Sequence, residues 1–369
     1  MNVFLKTVLS AIFFFVVIYN GYSQQGRAGL SDKQATPEAK KLYQQLTKLI
    51  DKGIMFGHQD DMAYGLGWKY EENRSDVKSI TGAYPAVHGW DLGHLELGKK
   101  QNLDSVPFDK MQNFIKKVHH LGGVNTISWH LDNPVNGKSS WDNSNTVSKI
   151  IPGGSHHQIF KVWLDRIASF LGDLKDEKGK LIPVLFRPYH EHTGSWFWWG
   201  EDNCSVSDYK QLWRFTVDYL RNEKKLHHLI FVYSTSRFKS EDHYLERYPG
   251  DQYVDMVGFD TYVKPKEYDY QSTLTNQLAV LQHVAESHGK LAALTETGYV
   301  TIPDAHWWTG TLLPLLAKHK LSYVLVWRNA RPNHHYAPFP GHPSVSDFLK
   351  FYQDERIIFL DRLNRLKTH

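Results

Sequence analysis

At 369 residues the chain is long enough for one large domain or two modest ones, and its formal net charge of +4 comes without any Lys/Arg run or basic stripe. That excludes a phosphate backbone as partner, and the single Cys204 excludes an internal disulfide and a four-cysteine zinc site. The 12 Trp, 20 Tyr and 19 Phe are many for a soluble protein; most read as core, and those at strand ends as flat apolar faces open to a ligand.

Residues 1–23 have the pattern of an export signal. Lys6 lies near the start, an apolar stretch over 8–19 is short for a membrane span, and small Gly21 and Ser23 set a cleavage point before Gln24. The expected product is exported, periplasmic or secreted, without stable membrane insertion once the signal is removed. No cysteine near the cleavage point suggests lipid attachment.

Eight apolar, β-branched runs then follow, at 54–58, 86–90, 124–130, 183–190, 229–233, 256–260, 292–296 and 323–327. Between them lie stretches with apolar residues at three- and four-residue intervals, at 107–121, 156–174, 208–224, 270–288 and 305–318. Strands alternating with amphipathic helices predict a parallel sheet, and eight such units close a (β/α)8 TIM barrel of the α/β class. No Pro/Ser-rich linker divides the rest, so 24–369 is expected to be one domain acting as a monomer.

Polar and aromatic residues crowd the C-terminal ends of these runs: His58-Gln-Asp60, His88-Gly-Trp-Asp91, Trp129-His130, Arg187-Pro-Tyr-His-Glu191, Asp260-Thr-Tyr262, Glu296 and Trp327-Arg328. In such a barrel that end carries the catalytic face. The segment 131–155, rich in Asn, Ser and Gly and without a clear period, reads as a long loop on the same face.

Two of these residues suit a particular chemistry. Glu191 and Glu296 close the fourth and seventh runs, three strand-plus-helix units apart, and would face each other across the barrel mouth. Retaining cleavage of a glycosidic bond needs such a pair: one carboxyl group protonates the leaving oxygen while the other attacks the sugar carbon from the opposite side. Glu191 is assigned as acid/base and Glu296 as nucleophile.

Arg187-Pro-Tyr-His-Glu191 with Trp196, Gly258-Phe-Asp-Thr-Tyr262, Thr295-Glu296 and Trp327-Arg328 together resemble the signature of glycoside hydrolase family 26, chiefly β-1,4-mannanases. The resemblance runs from Met55-Phe-Gly-His58-Gln to the eighth strand, and His-Glu stands where most related barrel glycosidases carry Asn-Glu. It implies a (β/α)8 barrel, double displacement with retention, and β-mannan or a manno-oligosaccharide as substrate. It also implies that Trp196 stacks on the leaving-group side and that Tyr262 holds the nucleophile. By the same likeness Trp327 and Arg328 bind sugars on the non-reducing side, His130 and Trp129 belong to the cleavage subsite, and Arg187 supports the carboxylates. His190 resembles the histidine beside the acid/base. Asp260 and His88 are read as site residues with a structural alternative. If the loops 131–155 and 334–342 wall off the non-reducing side, the enzyme would release mannobiose from chain ends.

Metal catalysis is not expected, because the His-Glu-x-x-His spacing is absent and His190 and His192 straddle a strand end; no cofactor is called for. Two further alternatives are a family relative that cuts β-1,3-xylan or mixed-linkage glucan, and a carbohydrate-binding protein without catalysis. The last would need the aromatic platforms but not two opposed carboxylates.

Overall fold

The computed structural model of the chain describes residues 29–367; the export signal expected over 1–23 lies outside the described residues. Eight parallel strands pair in chain order: β1 (Ile54–Gln59), β2 (Val87–Asp91), β3 (Val124–Trp129), β4 (Val184–Pro188), β5 (Leu229–Thr235), β6 (Met256–Tyr262), β7 (Leu291–Gly298) and β8 (Tyr323–Val326). β8 returns to pair with β1, and the ring closes as a (β/α)8 barrel. Nearly every strand residue is buried, because helices cover the outside and side chains fill the inside, and this is why the strands read as unbroken apolar runs. Outside the barrel ring, Tyr64–Gly65 pairs with Trp68–Lys69 as a small hairpin, and Ile357–Ile358 lies parallel to the start of β1.

Helices Phe108–His120, His157–Gly172 and Tyr270–Ser287 fall where the periodicity predicts them. The stretch at 208–224 begins as the helix Val206–Asp218 and widens into a π-turn at Tyr219–Glu223. The one at 305–318 is a π-turn, Trp308–Leu312, followed by a single α-turn, Leu313–Leu316, whose Pro314 has no N–H to donate to the preceding turn. The loop 131–155 holds a short helix, Val147–Ile150. The pattern also omits the helix Pro37–Leu49, although its start signal is present: Thr36 Oγ1 accepts from Ala39 N, Pro37 opens the first turn and Glu38 stands beside the positive helix end. No helix among the described residues is long and apolar enough to cross a membrane.

One irregularity positions the chemistry. In register with β6, Leu294 pairs with Phe259 but Glu296 pairs with Asp260, so Thr295 is an extra residue on β7; the register against β8 slips at the same point. This β-bulge lets Thr295 and Glu296 both turn into the barrel, where strict alternation would send one of them outward. Gly258 makes the room: a Cβ there would lie 2.6 Å from Thr295 Cγ2.

Candidate active site

The backbone leaving β4 is bent back on itself. Tyr189 and Glu191 adopt φ of 48° and 55°, a left-handed conformation that costs a non-glycine residue about 1–3 kcal/mol and persists only when neighbours hold it. The Tyr189 hydroxyl bonds Thr216 Oγ1 at 2.8 Å, Tyr209 donates to the Tyr189 carbonyl, and Glu191 N donates to Ser234 O at 3.0 Å. Glu191 is thereby turned into the barrel mouth, where Trp196 Nε1 donates to its Oε2 at 2.8 Å. The Trp196 ring folds back over Gly194, where a Cβ would come within 2.2 Å of it.

Glu296 sits among fixed donors. Arg187 Nη2 donates to its Oε1, and the Tyr262 hydroxyl donates to its Oε2 at 2.5 Å. Arg187 Nη1 also donates to Asp260 Oδ2 at 2.7 Å, and Asp260 accepts from Thr295 Oγ1 at 2.6 Å and Ser234 Oγ at 3.1 Å. All of these residues are buried or nearly so. A buried carboxylate without a partner is costly, and here the guanidinium keeps a positive charge between two of them.

Glu191 and Glu296 open into one cleft of about 300 Å³, walled by His130, Trp141, Trp196, Phe197, Tyr262, Trp327 and Tyr336. Larger hollows of about 540 and 670 Å³ lie near the N-terminal ends of the strands; the second is lined mainly by lysines and histidines, and neither has a pair of facing glutamates. The two glutamates in the cleft have different surroundings. Burial and the Glu296 charge push the Glu191 carboxyl up to about 7, against the opposing influence of Trp196, His130 and Arg187. One is thus a proton donor near neutrality beside a carboxylate held by a guanidinium and a phenol. Tyr262, its own ionisation driven well upward by burial and by Glu296, remains a donor.

Of the residues singled out in the sequence, Glu191, Glu296, His130, Trp196, Tyr262 and Trp327 line the cleft. Arg187 and Asp260 lie beneath Glu296, and His190 backs His130, Nε2 to Nε2 at 3.1 Å. Trp129 and His88 require correction. Both point outward from the barrel, one residue out of phase with inward His130 and Asp91. Trp129 is fully buried and donates to Glu96 Oε2 at 3.0 Å; His88 is buried near Asp61 and against the Tyr84 ring. Arg328 does not line the cleft; it is held by Asp104 at 2.7 Å and Tyr64 at 3.3 Å. His190, Asp260 and Glu296 bring ligand-capable atoms within 4.8 Å of one another, but Arg187 already donates to both carboxylates and supplies the charge a cation would.

Sequence reading missed Trp141, which is 51% exposed and stacks on His130 at 5.6 Å, because it lies in the aperiodic loop after β3. Phe197 and Tyr336 were missed as well, and only the neighbouring Trp196 and the loop after β8 hinted at them.

The profile of the family described as Glycosyl hydrolase family 26 matches residues 31–311. A mannan endo-1,4-beta-mannosidase of Bifidobacterium adolescentis is 36% identical over 288 residues, which are 75% of this chain and 28% of that protein. One from Bacillus subtilis is 33% identical over 217 residues, 56% of this chain and 57% of its own. The chain therefore spans well under two thirds of the length of these relatives. A solved family 26 beta-mannanase from Bacteroides ovatus superposes with a TM-score of 0.86 at 47% identity, covering 90% of this chain and 99% of that one. For an endo-beta-1,4-mannanase of Cellulomonas fimi the TM-score is 0.83 at 34% identity, with 90% and 78% covered.

Proposed function

The chain belongs to glycosyl hydrolase family 26, and from that premise we propose that it hydrolyses the β-1,4-mannosidic bonds of mannan with net retention, Glu191 acting as acid/base and Glu296 as nucleophile. The observation that carries the proposal is the pairing, in one cleft, of a carboxyl raised to about 7 with a carboxylate bound by Arg187 and Tyr262.

The mannan backbone lies along the cleft with its rings against Trp141, Trp196 and Trp327, whose apolar faces match the C–H faces of the sugar. Glu191, protonated below about pH 7, gives its proton to the glycosidic oxygen as Glu296 attacks the anomeric carbon from the other side. The leaving chain departs with that proton, and the sugar is left bonded to Glu296. Arg187 and Tyr262 hold Glu296 in one orientation before attack and take up the charge that returns when the bond breaks. Glu191, now ionised, takes a proton from water, which attacks the same carbon and frees Glu296. Trp196 keeps Glu191 Oε2 occupied, so the other oxygen is left to face the substrate.

Mannan preference is supported by the named activities of the relatives, and a polysaccharide panel tests it. Mannan and galactomannan are expected to be cut at least about 100-fold faster than β-1,3-xylan or mixed-linkage glucan, a difference of a few kcal/mol in transition-state binding. Comparable rates on xylan or glucan would overturn the assignment. Product sizes at low conversion decide the mode of attack: mannobiose alone supports release from chain ends, and a ladder supports internal cleavage. Export through residues 1–23 and action as a monomer belong to the same proposal. A secreted species that begins at Gln24 and sediments as one chain is the expected result.

A further inference from the structure

Asp91 closes β2 and is fully buried, yet it touches neither of the two glutamates that make and break bonds. Its Oδ2 accepts from His130 Nδ1 at 2.7 Å and from Ser128 Oγ at 2.6 Å, and its Oδ1 accepts from Gly93 N at 2.7 Å. The other nitrogen of His130 meets His190 Nε2 at 3.1 Å, while His190 Nδ1 has no partner. The Asp91 carboxylate needs a hydrogen on His130 Nδ1; with Glu296 and Glu191 also acting on the ring, a second proton on Nε2 is favoured, and it donates to the lone pair of a neutral His190. His130 is in this way held by two hydrogen bonds as a doubly protonated ring, with Trp141 stacked on one side and Phe197 and Trp327 at its edges.

We infer that Asp91 is a positioning residue for the reaction, holding His130 and the proton on its Nδ1 so that a fixed positive charge faces Glu191. This rests on Glu191 being the proton donor. The charged and titratable groups around His130 are Asp91 from β2, Asp104 from the loop after it, His190 and Glu191 from the exit of β4, and Glu296 from β7. Burial works against a charged His130, but the charge and hydrogen bond of Asp91, with Glu296 and Glu191, carry its pKa upward. His190 moves the other way, driven well down by burial, Arg187, His130 and His192, and stays neutral. His130 in turn draws the Glu191 carboxyl down, so that it ends near 7 and not higher. A stronger acid near the working pH is a better donor to a poor leaving group.

The test is Asp91→Asn, which keeps the shape and removes the charge. On mannan, kcat is expected to fall roughly tenfold with KM little changed, and the alkaline limb of kcat/KM to move up by about one pH unit, because a neutral His130 no longer lowers Glu191. With a 2,4-dinitrophenyl β-mannobioside, whose leaving group needs no proton, the deficit in the glycosylation step should largely disappear. Ser128→Ala, which removes a hydrogen bond to Asp91 but leaves its charge, should leave the limb in place. An unmoved limb in Asp91→Asn, or equal losses on both substrates, would overturn the inference while leaving the catalytic pair intact. If instead Glu191→Ala turns over mannan as the native enzyme does, it is the acid/base assignment that fails. Should Asp91→Asn not fold, the 15N shifts of His130 in the native protein at pH 6 decide: both ring nitrogens protonated is expected, and a neutral ring contradicts it.

Discussion

Replacing Glu296 with alanine is expected to lower kcat on mannan by about 10⁴- to 10⁶-fold, the scale on which loss of an enzymic nucleophile is felt. The fold should survive. Arg187 keeps its bond to Asp260, so no buried charge is left alone, and the Thr295 bulge is still held by Asp260 and Ser234. Mannan binding should persist, because the aromatic walls are untouched. Azide fits the space left by the carboxylate and attacks from the same face, so it should restore turnover on an activated mannoside and yield the α-mannosyl azide. Mannan hydrolysis at the native rate by Glu296→Ala would refute the assignment of nucleophile.

Glu191→Ala is the second large effect, with a different signature. Loss of general acid catalysis is worth about 10²- to 10⁴-fold on mannan, whose leaving group is a sugar hydroxyl, and much less on a substrate with an acidic phenol. The pH profile separates the two glutamates further. The acid works only while protonated, and Glu191 is raised to about 7 by burial and by Glu296; the alkaline limb of native turnover should therefore begin near pH 7 and fall about tenfold per unit above it. In Glu191→Ala on the activated substrate that alkaline limb should vanish. A limb that survives the substitution would assign the titration to another group.

The barrel was legible because a parallel sheet buried on both faces leaves an unmistakable record: eight apolar runs, each lying within about two residues of a strand. Strand ends were legible as the site for the same reason, since a polar residue at the end of such a run has few other uses. Which face each residue takes was harder. Trp129 and His130 are neighbours in sequence, and only the pairing of β3 with β2 and β4 sends His130 into the barrel and Trp129 out to Glu96. His88 and Asp91 divide in the same way, and the sequence favoured the wrong one of the two.

Some of the site lies beyond any periodic reading. The bulge at Thr295 is a matter of register between strands, and nothing in Leu-Thr-Glu reveals it; the nearest signal is Gly258, which makes sense only once Thr295 is known to lean on it. The left-handed turns at Tyr189 and Glu191 are equally hidden, because non-glycine residues take that conformation under constraint from the whole mouth of the barrel. Trp141 sits in a loop without period, and its place above His130 depends on a backbone hydrogen bond from Trp198 N to Ser140 O, far along the chain.

Double displacement by two glutamates makes one stereochemical demand that direct displacement by water does not share. Followed by proton NMR from the first minutes, before mutarotation, hydrolysis of a short β-1,4-manno-oligosaccharide must release the new reducing end as its β-anomer, which then drifts towards the equilibrium mixture. Initial release of the α-anomer would mean direct attack by water with Glu296 as a base, and would contradict a nucleophilic Glu296 steadied by Arg187 and Tyr262.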